Sequence, residues 1–236
     1  MGLDVYVGSL TSYYASGPPT AVERLAWQQR VPYMVIRGER RSGGQTEHDV
    51  IRAAVLAWRD ELRRGLGDRL EHPLEWDESP EAPSFAGRPG WDSYGAVLVL
   101  AAHDEHPELE APATVSADWP DDVAYQTAVA AGTGSRYDQL LLPDLWLPCR
   151  FGFTFRTRDA AGQAVEVGSS ATLLAQLRTL RARTGLAVPD GKVEVEVVRP
   201  PGPKPPLRDA ARYGLATLLL LAGRSVEHRV PMRLDD

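Results

Sequence analysis

W-D-S-Y-G-A-V-L-V-L-A-A-H-D-E-H-P, residues 91–107, is an apolar run that closes on consecutive titratable residues, His103 to His106. It is longer than the roughly five or six residues of an ordinary strand. Asp92 or Ser93 can cap a helix at its start, and Pro107 cannot continue one, so the stretch reads as a buried helix of about three to four turns. A central strand is the alternative, because Val97, Leu98, Val99 and Leu100 would suit one. Strands predicted on either side make the chain an α+β protein, residues 1–236 in a single domain, with a mixed or antiparallel sheet packed against several helices.

Upstream, Leu3, Val5 and Val7 alternate with Asp4, Tyr6 and Gly8, the period of a strand with one apolar face. Residues 11–19 hold Tyr13, Tyr14, Gly17 and two prolines and read as a loop. A short amphipathic helix over 21–29 and a strand over 31–37 follow. Thr46, with Asp49 three residues later, opens a helix whose stripe is Val50, Ile51, Ala54, Val55, Trp58 and Leu62, ended by Gly65 or Gly67. Residues 71–89 form a long connection rich in Pro and acids, which in a compact protein marks a functional or mobile loop.

Downstream, 121–131 reads as a short helix and 137–147 as a buried turn between prolines. Phe151, Phe153 and Phe155 alternate as a strand, turning at 159–162 into a second strand over 164–167. Ser169 or Ser170 caps a helix that buries Leu173, Leu174, Leu177 and Leu180 and stops near Gly185. Val193, Val195 and Val197 predict another strand. A Pro-rich connector over 199–206 then leads to a C-terminal helix over 207–228, apolar around so much of its surface that it must be buried.

Composition excludes several classes. A net charge of −6 and a pI near 5.4 do not fit a nucleic-acid binder, which needs a basic surface to displace counterions. Cys149 is the only cysteine, so no disulfide framework exists and the expected compartment is the cytoplasm. No signal peptide is expected, and the apolar run 215–222 is too short to span a bilayer. Of the 26 basic residues only Lys192 and Lys204 are lysine, which with abundant Ala and Pro points to a GC-rich bacterial genome.

Three clusters are candidate sites. Asp4 and Tyr6 at a strand end, with Tyr13 and Tyr14 beyond, can supply a carboxylate and phenols to a pocket; the plain alternative is a solvated strand face with an aromatic rim. Trp76-Asp77-Glu78 can form a recognition loop with Trp as anchor, or Trp76 can fold back onto its own domain. His103 and His106, three apart on a helix and sharing a face with Asp92, could converge on one metal, although no further ligand motif accompanies them. Gly168-Ser169-Ser170 lacks the second glycine of a nucleophile elbow and Gly132-x-Gly134 the rest of a dinucleotide loop, so no cofactor, resident metal or catalytic residue is assigned.

Met1-Gly2-Leu3-Asp4-x-Tyr6-Val7-Gly8 with Leu10-Thr11 and Tyr13-Tyr14, then Trp76-Asp77-Glu78-Ser79, Trp91-Asp92-x-Tyr94-Gly95-Ala96, Glu105-His106-Pro107-Glu108, Gly168-Ser169 and His228-Arg229-x-Pro231-Met232-x-Leu234-Asp235 together resemble a family of uncharacterised bacterial proteins. The resemblance spans nearly the whole chain and implies one domain, but it brings no activity. Ser12 stands where the pattern has a basic residue, and His103 where it has an aromatic one, which weakens the metal reading. The expectation is a cytosolic, non-catalytic binding or interaction protein with a polar-aromatic pocket or groove, neutralisation of a protein partner being one form of it. No nucleic-acid or membrane partner is expected, and the oligomeric state is left open. The alternative is a metal-assisted hydrolase using His103, His106 and a carboxylate such as Asp4 or Asp92.

Overall fold

The apolar alternation of Val5 and Val7 builds the first strand, β1 (Asp4–Val7). The computed structural model describes residues 3–16, 44–70, 72–188 and 204–235. Among them β1 lies between β2 (Phe85–Gly87) and β6 (Met232–Asp235), and the sheet continues through β3 (Leu145–Leu147) and β5 (Ala164–Ser169) to β4 (Phe155–Arg158). β3 and β5 run parallel and every other neighbouring pair antiparallel, so the six-stranded sheet is mixed.

Seven α-helices accompany it among the described residues: α1 (Leu10–Ser16), α2 (Gly44–Leu66), α3 (Gly90–Glu105), α4 (Val123–Ala130), α5 (Asp138–Leu141), α6 (Ser170–Thr184) and α7 (Leu207–His228). The 91–107 run is α3, buried continuously from Ser93 to Ala102, as an element apolar on all sides must be. Its N-cap is Pro89, with no side-chain bond, rather than Asp92 or Ser93. α7 occupies the expected 207–228, and Gly214 lets it approach so closely that a Cβ there would overlap the Ser93 carbonyl of α3. α6 starts as expected, with Ser169 accepting from the Thr172 amide, and ends on Gly185 at φ 64°.

The sheet separates two cores. Val5, Val7, Trp146 and Met232 face α3, α4, α6 and α7. Leu145, Leu147, Val165 and Val167 face the other way, toward Leu10 of α1 and Val55, Trp58, Leu62 and Leu66 of α2. None of the described helices is long and apolar enough to cross a membrane.

Several expectations are corrected. Residues 11–16 of the expected 11–19 loop are helix, because a buried carboxylate distant in sequence caps them, as described below, and 17–19 lie outside the described residues. Within 137–147 the chain forms α5 and then β3, and β2 and β6 were not anticipated at all. Phe151 and Phe153 precede β4 rather than belonging to it; the Phe151, Phe153 and Phe155 rings pack on one another 5.2–6.1 Å apart. Val50 is 64% exposed and Ala54 exposed, so the buried stripe of α2 begins effectively at Val55. The expected elements over 21–29, 31–37 and 192–198, and most of the 199–206 connector, lie outside the described residues.

Candidate functional site

Alternation along β1 and β6 sets one face of the sheet apart. With Val5, Val7, Met232 and Leu234 turned to the first core, Asp4, Tyr6, Arg233 and Asp235 project to the opposite face. The antiparallel register places Tyr6 opposite Arg233 and Asp4 opposite Asp235. α1 carries Tyr13 and Tyr14 against the same group. The Tyr6 and Tyr13 ring centres are 5.3 Å apart, as are those of Tyr13 and Tyr14, and the Arg233 guanidinium lies 5.0 Å from the Tyr13 ring centre and 5.7 Å from that of Tyr14. At these separations the guanidinium is attracted by both ring faces.

Hydrogen bonds fix the cluster. Arg233 donates from one terminal nitrogen to Asp159 Oδ2 at 2.7 Å and to the Tyr14 hydroxyl at 2.8 Å, and from the other to Gln163 Oε1 at 3.2 Å. Tyr14 in turn donates to Asp159 Oδ2 at 2.8 Å. The second Asp159 oxygen accepts from the Ala161 and Gln163 amides, so one buried carboxylate both shapes the β4–β5 turn and neutralises Arg233. Tyr13 donates to Asp235 Oδ1 at 3.0 Å, and Tyr6 to the Ser9 carbonyl at 3.1 Å. Asp4 receives Nε of Arg88 at 2.7 Å and a second guanidinium nitrogen at 3.2 Å. Those contacts offset the repulsion expected of two carboxylates directly opposed across strands.

The electrostatics follow from burial. Burial pushes the Tyr13 hydroxyl up to about 12; the Arg233 charge opposes the rise and the Asp235 carboxylate adds to it. Tyr6 and Tyr14 are likewise raised above the ordinary phenol range, chiefly by burial. For Asp159, burial favours the neutral acid, but the bonds from Arg233 and Tyr14 outweigh it and hold the carboxyl below its usual value. Burial also opposes the Arg233 charge, and Asp159 more than restores it. The three phenols therefore stay protonated hydrogen-bond donors at neutral pH beside a fixed ion pair. With its hydroxyl protons donated internally, such a group can meet a ligand through the half-buried rings of Tyr13 and Tyr14 without exchanging protons with it.

The Trp76-Asp77-Glu78 loop stands behind this cluster, not at its rim. Trp76 is 5% exposed, packs on Trp58 with ring centres 6.0 Å apart and lies under Arg59. It is thus part of the second core, not an exposed anchor. Glu78, also buried, accepts from the Leu10 amide at 3.0 Å, the Thr11 amide at 2.8 Å and the Trp76 indole at 2.6 Å. Its carboxylate caps α1 and thereby holds Tyr13 and Tyr14 in place. Half-buried Asp77 accepts from the Ser79 amide and shapes the turn.

Of the other three candidates Asp92 and His103 belong to α3 and His106 is its C-cap, in the layer over the opposite face of the sheet. Asp92 is eleven residues before His103, roughly 16 Å along a helix, and Asp4 lies across the sheet, so neither reaches the histidines. His103 places Nε2 3.1 Å from Asp122 and Nδ1 3.3 Å from the Leu109 carbonyl, which occupies both ring nitrogens. His106 has Nδ1 3.4 Å from Glu108. Among the described residues no group of three or more His, Cys, Asp or Glu side chains is placed to hold a metal, and the hydrolase reading gains no support from this geometry.

In comparisons with known proteins, no family model, curated protein or solved structure matches the chain. Reading the sequence missed Arg88, Asp159, Gln163 and Arg233. A local signal existed for the last: Met232 and Leu234 alternate with Arg233 and Asp235 as β1 does, which marks a strand with a polar face.

Proposed function

We propose that this chain is a binding or interaction protein, acting without catalysis, whose recognition surface is the tyrosine face built by Tyr13 and Tyr14 over Arg233. The observation that carries this reading is the rigidity of two half-buried tyrosines, each hydrogen-bonded through its hydroxyl and stacked at a guanidinium. Tyrosine and arginine held this way lose little conformational entropy when a partner docks, which is why they dominate interface energetics. A protein partner, including one neutralised by the encounter, fits such a surface.

The test compares proteins captured from source-cell lysate by wild type, Tyr13→Ala and Tyr13→Phe. Tyr13 is the residue to change because its hydroxyl contacts only the half-exposed Asp235, whereas Tyr14 supports the buried ion pair. The expected result is a specific protein lost by Tyr13→Ala and weakened by Tyr13→Phe, which keeps the ring but not the bond that fixes it, with both variants cooperatively folded. Identical capture by all three refutes the assignment.

A further inference from the structure

On the other side of the sheet a second surface combines one exposed and two partly exposed aromatic rings, joined through buried Tyr94, with two exposed acids. Four rings run across α3, the turn 119–121 and α4: Trp91 to Tyr94 at 6.4 Å, Tyr94 to Trp119 at 6.4 Å and Trp119 to Tyr125 at 5.1 Å, each pair edge to face. Trp91 at one end is 39% exposed, and Trp119 and Tyr125 are partly so. The Trp119 indole is seated on Gly95, where a Cβ would come 2.5 Å from it. The strip is therefore preformed.

From residue 89 to residue 135 the sequence has no Lys or Arg and eight acids, and the fold adds Lys204 and Arg208, which flank the 205–207 stretch paired with 113–115. Some of the eight are satisfied internally: Asp104 by Tyr137, Arg136 and Arg183, Glu105 by Ser135, and Asp122 by His103 and the Tyr125 amide. Exposed Asp118 and Asp121 bracket Trp119, and among the described residues no basic side chain pairs with either.

We infer that this aromatic strip docks a basic segment, rich in Arg or Lys, of a protein partner. Guanidinium groups stack on indole and phenol faces while the exposed Asp118 and Asp121 carboxylates accept their hydrogen bonds. The surface lies across the sheet from the tyrosine face, so this inference and the function proposed above can fail independently.

The test titrates a nona-arginine peptide into the full chain at physiological salt. Asp118→Asn with Asp121→Asn is compared with Glu61→Gln and Asp68→Asn, two exposed acids on or just after α2 that change net charge equally. At up to a few-fold per exposed charge, the first pair weakens binding roughly tenfold and the control pair by less than about twofold. Trp91→Ala weakens it severalfold. Equal losses in both double variants would reduce the effect to net charge, and an absence of peptide binding by wild type would equally overturn the inference.

Discussion

Glu78→Gln tests how the tyrosine face is held. The wild-type carboxylate is 4% exposed and accepts three bonds, from the Leu10 and Thr11 amides and the Trp76 indole. Glutamine keeps one acceptor oxygen; its NH2 must oppose at least one of those N–H groups. A buried donor left unsatisfied costs about 1–3 kcal/mol, and loss of charge from the surviving bonds adds about 1 kcal/mol. The expected destabilisation is about 2–4 kcal/mol, a fall in Tm of roughly 5–15 °C for a chain of this size. Urea unfolding measures it as a lowered midpoint at unchanged slope. Hydrogen exchange should localise the loss, with the α1 amides opening before those of α3. Asp77→Asn, one residue away, keeps its acceptor oxygen for the Ser79 amide and should cost less than about 1 kcal/mol. If Glu78→Gln stays within about 0.5 kcal/mol of wild type, the carboxylate is not what anchors α1.

Gly214→Ala should cost about 1–3 kcal/mol, because the added methyl meets the backbone carbonyl of Ser93 and must push α7 from α3; an unchanged Tm would show that the two helices are not locked at this crossing. Alkaline titration tests the phenols: Tyr13 should ionise near about 12, with Tyr6 and Tyr14 also displaced above the ordinary phenol value. Above about pH 10 the unfolded chain gives up phenol protons that the folded one keeps, so stability must fall as pH rises through that range. Absorbance at the phenolate band with Tyr13→Phe as reference isolates the group, and ionisation of Tyr13 at the ordinary value in folded protein would contradict its burial.

Much of the fold was legible wherever local signals agreed. The apolar length of 91–107, the Ser169 cap with Gly185 and the long apolar surface of 207–228 gave α3, α6 and α7 from spacing alone, and the period of two gave β1. What failed were elements whose stability comes from distant partners. β2 and β3 are three residues each, too short to carry a pattern of their own, and exist because neighbouring strands complete their hydrogen bonds, whereas β6 repeats the alternation of β1 over only four residues at the chain's end and was passed over. α1 has seven residues and needs Glu78, 68 residues away from Leu10, to satisfy its first amides.

The candidate residues divided in the same way. Sequence placed Asp4 and Tyr6 on one strand face and named Tyr13 and Tyr14 beside them, because alternation and adjacency are local properties. Only the fold could assign Trp76 and Glu78 to the interior, since the decisive contacts come from α2 and α1. Only the fold could bring Arg233 and Asp159 to the tyrosines, because that meeting depends on β6 pairing with β1 and on the β4–β5 turn reaching over the same face. Local chemistry thus determined which residues could make a polar-aromatic surface, and long-range strand pairing decided which of them share one.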